Sequence, residues 1–151
     1  MTVTGILSVS CALFPLFAVF ADNSKLVAHR GDSSRFPQNT IAAIESAVEH
    51  GAGMIEIDVC KCKTGELVLY GERDLEEVTD GTGRVSQASF DYLRSLSVYA
   101  PKKFGDKFKG KFTIPMFEEA LAAIPEGEIY INCDVRDSAV DIAKAVKKAG
   151  R

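Results

Sequence analysis

From Lys25 to the end of the chain, short apolar runs that read as strands alternate with segments of helical periodicity, and this alternation restricts the fold more than any other feature. Leu26-Val27-Ala28-His29 reads as a short buried strand. Ile41, Ile44, Ala47 and Val48 then recur at helical spacing over residues 40–50. Asn39 stands where a helix cap is expected, and Gly51 and Gly53 end the helix. Residues 54–59 alternate apolar and acidic side chains as a second strand, and Leu67-Val68-Leu69-Tyr70 is a third. Thr79-Asp80-Gly81-Thr82-Gly83 is a turn-rich loop, residues 89–96 a short helix, and residues 102–111 a basic, glycine-containing excursion. A helix over 116–123, a strand over 129–134 and a last helix over 138–149 complete the pattern. Repeated strand and helix elements predict an α/β fold with a parallel sheet.

With 46% hydrophobic and 26% charged residues, the chain has enough apolar side chains for one real core and is not a disordered segment. Its net charge of −3 includes no basic block, so the electrostatic footprint of a nucleic-acid binder is missing and nucleic acid is not an expected partner. The lysines of 102–111 read as a solvated loop that an acidic membrane surface could meet. Residues 1–21 carry no charged side chain and resemble a secretory signal cleaved after Ala21, leaving residues 22–151 as the domain. The alternative is a membrane anchor, since the run approaches the roughly 20 residues that a bilayer needs. Cleavage would remove Cys11 and leave Cys60, Cys62 and Cys133, without the CxxC spacing of a zinc site, so these are expected to be small core thiols.

Charged residues sit at the carboxyl ends of three predicted strands, where α/β folds place their chemistry: His29, the pair Glu56 and Asp58, and Asp134. Residues i and i+2 of a strand share a face, so Glu56 and Asp58 project together while Ile57 faces the helices. Two carboxylates on one face repel unless a proton or cation intervenes, and hard oxygen ligands suit calcium or magnesium. Pairing with a lysine or arginine is the competing reading. His50 is expected only to close the first helix. Thr79-Asp80-Gly81-Thr82-Gly83 is expected to be a plain turn rather than a phosphate cradle.

His29-Arg30-Gly31, Pro37-Gln38-Asn39-Thr40, Ile55-Glu56-Ile57-Asp58-Val59, Thr79-Asp80-Gly81-Thr82-Gly83, Ile114-Pro115-Met116-Phe117-Glu118-Glu119 and Asn132-Cys133-Asp134-Val135-Arg136 resemble, in order, the landmarks of the glycerophosphodiester phosphodiesterases. The resemblance implies a TIM-type (β/α) barrel. It implies cleavage of glycerophosphodiesters, such as deacylated phospholipids, to glycerol 3-phosphate and an alcohol with a divalent cation, Ca2+ or Mg2+. The ligands it implies are Glu56, Asp58 and Asp134, the last one methylene shorter than the family's usual glutamate. Arg30 and Arg136 match an arginine and a lysine at the phosphate, and His29 matches the first of two acid–base histidines. The sphingomyelinase D-like phospholipases resemble this arrangement too.

The chain departs from the family at two points. Where a His-Asp pair should end the third strand, it has Gly71-Glu72, so the second imidazole is missing. General acid–base help is worth about 10² to 10⁴ in rate, which predicts a slow hydrolase or a non-catalytic phosphoester- or cation-binding module. A phospholipase D-like enzyme is a third reading, and would need an apolar surface loop. An eight-unit barrel takes around 250 residues, whereas this chain supplies about four strands, the N-terminal half. The expectation is a fragment, a truncated product, or a protomer whose barrel is completed by self-association.

Overall fold

The computed structural model describes residues 26–126 and 139–150 and the backbone of 130–135. The predicted leader, Cys11, Arg136 and the side chains of Cys133 and Asp134 lie outside the described residues. Among the described residues the α-helices and strands run in the order β1 (Val27–His29), α1 (Ile41–Glu49), β2 (Met54–Lys61), β3 (Leu67–Leu69), α2 (Phe90–Ser95), α3 (Pro101–Phe104), α4 (Phe117–Ala123), β4 (Tyr130–Val135) and α5 (Ala139–Lys148).

Strand β2 is the centre of a four-stranded sheet. It pairs in parallel with β4 from Met54↔Tyr130 to Val59↔Val135, and in parallel with β1 from Val27↔Met54 to His29↔Glu56. Its last residues pair with β3, from Val59↔Leu69 to Lys61↔Leu67, but in the antiparallel sense. A strand has two edges, so β4 takes one and β1 and β3 divide the other. The expected parallel sheet holds for β1, β2 and β4, and β3 departs from it. Only residues 62–66 join β2 to β3, and a parallel return needs a crossover of about a dozen residues or more. The chain instead makes a hairpin closed by Cys62 N–H to Glu66 O at 3.0 Å and Gly65 N–H to Cys62 O at 3.1 Å, with Gly65 at φ 106°. The outer edge of β3 meets the segment before α4, through a Val68↔Met116 bridge and Leu69 N–H to Pro115 O at 3.0 Å.

The two faces of β2 divide as the alternation requires. Ile55, Ile57 and Val59 are fully buried against Ile44 and Ala47 of α1, Phe117, Ala120 and Leu121 of α4, and Ile142 and Ala145 of α5. On the other face Glu56 and Asp58 come first, and then Cys60 and Cys62, buried in a second core with Tyr70, Leu75, Leu93 and Ile114. Helix α1 is capped by Thr40, whose Oγ1 accepts from Ala43 N–H at 3.2 Å, not by Asn39 as the sequence suggested. Gly51 at φ 74° and the bond from Ala52 N–H to Ala47 O stop it. Arg94 of α2 grips Glu119 of α4 with both guanidinium nitrogens, at 2.7 and 2.5 Å, which clamps the second core to the helical layer.

The excursion at 102–111 is more than a solvated loop. Phe104, Phe108 and Phe112 pack together with Phe36, at centroid separations from 5.1 to 6.2 Å, while the lysines stay exposed. Lys103 Nζ donates to Ser33 O at 2.6 Å, tying this cluster to the loop after β1.

Candidate functional site

The loop from β1 to α1 is shaped by close approach. A Cβ on Gly31 would lie 2.7 Å from the backbone carbon of Ala43, and Gly31 has φ 77°, so only glycine fits between the strand end and the helix. Arg30 precedes it in the left-handed region at φ 59°. That conformation aims the Arg30 N–H at Glu56 Oε2, 3.0 Å away, and swings the guanidinium over the sheet. There Arg30 Nε lies 2.8 Å from Asp58 Oδ2, and Nη1 donates to Glu72 Oε1 at 2.5 Å. The Nε–H does not point along its contact, so charge rather than an aligned hydrogen bond draws Asp58 to it. One residue thus touches all three carboxylates of the cluster.

Asp58 is held from a second side. Asn39, left-handed at φ 56°, donates Nδ2 to Asp58 Oδ2 at 2.8 Å, and its Oδ1 accepts from Asp58 N–H at 3.1 Å. Asn39 and Asp58 are both buried, at 4% and 1% exposure, so this reciprocal pair fixes β2 against the start of α1. Gln38, beside it, donates to Glu72 Oε1 at 2.6 Å. Burial works against ionisation of Glu72, but the hydrogen bonds from Gln38 and Arg30 and the Arg30 charge outweigh it and hold the carboxyl below its ordinary range. Glu72 is therefore an anion at neutral pH, a poor proton donor.

His29 ends β1 with its side chain 70% exposed and Nε2 3.8 Å from Glu56 Oε2, so the imidazole stands in solvent beside the Glu56 carboxylate. Asp134 is the register partner of Asp58 on β4, which brings its backbone beside the cluster. Arg136 lies just past the end of β4 and outside the described residues. Of the sequence-predicted site, the structure thus brings His29, Arg30, Glu56 and Asp58 into one cluster, with Asp134 on the adjoining strand.

The donor set fits a hard divalent cation: Glu56 and Asp58 offer carboxylate oxygens from one face of β2. Among the described residues no group of three or more metal-type ligands gathers, and the third expected ligand is Asp134. The competing reading of the alternation, a carboxylate paired to an arginine, is also realised, by Arg30 on Asp58.

Asn39, Gln38 and Glu72 complete the cluster, and their positions were only partly readable. Asn39 looked like a cap because it stands one residue before a helix. Its left-handed backbone turns the side chain toward β2 instead. His50 is at the far end of α1, where its Nδ1 lies 2.7 Å from Ser46 O and its Nε2 2.6 Å from Arg35 Nη1, so it closes the helix as expected. The amides of Gly81, Thr82 and Gly83 are taken by Thr79 Oγ1, the Tyr92 hydroxyl and Glu76 Oε1, which makes this segment a turn and no phosphate cradle. An open cleft lined by Gln38, Glu72, Glu77, Lys102, Lys103 and Phe104 adjoins the carboxylates.

Residues 29–150 match the model of the glycerophosphoryl diester phosphodiesterase family. A glycerophosphodiester phosphodiesterase of Caldanaerobacter subterraneus subsp. tengcongensis is 36% identical over 115 residues, covering 76% of this chain and 46% of the relative. Among solved structures, a glycerophosphodiester phosphodiesterase of Agrobacterium tumefaciens superposes with a TM-score of 0.74 at 29% identity, over 83% of this chain and 53% of its own. An Oleispira antarctica phosphodiesterase in complex with the product sn-glycerol-3-phosphate superposes at 0.67 with 27% identity, over 83% of this chain and 49% of its own. The chain therefore spans about half the length of the proteins it matches. The sheet of β1, β2 and β4 with α1, α4 and α5 on one face is the corresponding part of their barrel, and the chain belongs to the glycerophosphoryl diester phosphodiesterase family.

Proposed function

We propose that the chain carries the cation-and-phosphate end of a glycerophosphodiester phosphodiesterase site, hydrolysing a glycerophosphodiester with water to glycerol 3-phosphate and an alcohol in lipid metabolism. The observation that supports it best is the meeting of His29, Arg30, Glu56 and Asp58 at one end of the sheet, from two strands and a loop. Glu56, Asp58 and Asp134 would hold a divalent cation, Ca2+ or Mg2+. When bound, it would neutralise charge on the phosphate oxygens. Arg30 and Arg136 would bind those oxygens, and His29, exposed at the end of β1, would exchange the proton of the attacking or the departing oxygen. The partner is a small-molecule glycerophosphodiester.

The test is release of glycerol 3-phosphate from glycerophosphocholine by the purified chain, with and without chelator. Release that chelator abolishes is expected. Cation binding without any release would favour a second reading, a non-catalytic phosphoester or cation module. That reading has its own observation in Gly71, which places no imidazole opposite His29. Export of the chain, or its anchoring by residues 1–21, and self-association that completes the barrel belong to the same proposal. Exposed Leu26 and Val27, at the start of β1, are apolar surface that a second chain would cover. Sedimentation of a monomer that binds no apolar dye would remove the last part.

A further inference from the structure

Gly71 follows β3 at the place where the side chains of Asp58 and Arg30 meet. A Cβ built on it falls inside contact distance of Asp58 Oδ2, 2.7 Å from Asp58 Cγ and 3.0 Å from Arg30 Cζ. The space that any side chain at position 71 would occupy is therefore filled by the Asp58 carboxylate, drawn toward the Arg30 guanidinium. Gly71 is not among the residues with positive φ, so its backbone makes no demand for glycine. What requires glycine is the placement of this ion pair.

We propose that Gly71 converts Arg30 into a built-in competitor for the cation site: the missing side chain lets Asp58 Oδ2 settle on Arg30, and a divalent cation that takes this oxygen must displace the guanidinium. The inference rests on the proposed cation site and adds a gate to it. Arg30 holds each carboxylate of the cluster in a different way: Glu56 through its backbone N–H, Asp58 through Nε and Glu72 through Nη1. Its guanidinium lies directly against the Asp58 and Glu72 carboxylates. With its side chain 16% exposed and that of Asp58 1% exposed, the pair is shielded enough for the competition to count. Asn39 keeps its hold on the same oxygen of Asp58, so the carboxylate has a defined resting position rather than a range of them. A cation that needs this oxygen then binds only the fraction of molecules in which it has left Arg30, and its apparent affinity falls by that fraction.

Two substitutions remove the competitor by independent routes. Gly71→Ala adds a single methyl group, with no charge and no acid–base capacity, and denies Asp58 its Arg-paired position. Arg30→Gln removes the guanidinium and leaves the space. The probe is Mn2+ or Ca2+ titrated calorimetrically into the chelator-stripped full chain, with folding of each variant checked by circular dichroism. Both variants are expected to bind the cation more tightly, by about tenfold, within the usual range of coupling between linked equilibria. If Gly71→Ala fails to fold, Gly71→Ser is titrated in its place. If the unsubstituted chain binds and neither variant binds more tightly, the gate is overturned and the cation site stands. Tightening in Arg30→Gln without tightening in a folded Gly71→Ala overturns the gate too, because charge alone then governs the site. Absence of binding in every variant overturns both the gate and the cation reading.

Discussion

At the scale of single residues, the site depends on where two loop side chains turn. Asn39 makes two bonds to Asp58, one to the carboxylate and one from the amide, and it does so from a left-handed backbone that asparagine tolerates and alanine resists. Asn39→Ala is expected to destabilise the chain by about 1–3 kcal/mol, the penalty for taking a partner from buried polar groups, as read by chemical denaturation. Gly71→His should add the missing imidazole and displace Asp58 from Arg30 in one step. Release of glycerol 3-phosphate should then rise by up to about 10²- to 10⁴-fold, whereas Gly71→Ala, with no acid–base group, should give no such gain. Glu72 supplies a pH dependence. Its folded pKa lies below the ordinary 4.5, so the stability it contributes is fully present above that value and is lost as the pH falls through the depressed folded value. Unfolding free energies measured at about pH 6 and about pH 3 should differ less in Glu72→Gln than in the unsubstituted chain.

At the scale of elements, β2 organises everything around it. Its apolar face lies on α1, α4 and α5, and Phe117 at the start of α4 is fully buried there beneath Ile55, Ile57 and Val59. Phe117→Ala should cost about 3–5 kcal/mol, seen as a lowered denaturation midpoint with no change in which groups form the site. The helices and strands were legible where they carry their own periodicity: α1 by Ile41, Ile44 and Ala47, β2 by the alternation from Met54 onward. The sense of β3 was misread because a run of apolar residues looks the same in either direction. The five residues between β2 and β3 held the answer, since they are too few to cross back. The cap of α1 was misassigned by one residue for a similar reason: Asn39 and Thr40 both suit a cap, and only the approach of β2 decides which one is drawn away.

At the scale of the whole molecule, the sheet collects groups distant in sequence. His29 and Arg30 come from the first strand and its loop, Glu56 and Asp58 from the second, Glu72 from beyond the hairpin, and β4 returns to lay Asp134 in register with Asp58. The order of its motifs by itself determined the chain's α/β class, its family, the shared face of Glu56 and Asp58, and the absence of a second imidazole at Gly71, because periodicity and residue identity are local properties. Tertiary structure alone decided that Arg30 reaches Asp58 and Glu72 together, that Asn39 serves the site rather than the helix, and that the space left by Gly71 is already filled. Each of those depends on distances between segments that are remote along the chain, and such distances exist only once the sheet and its helices have packed.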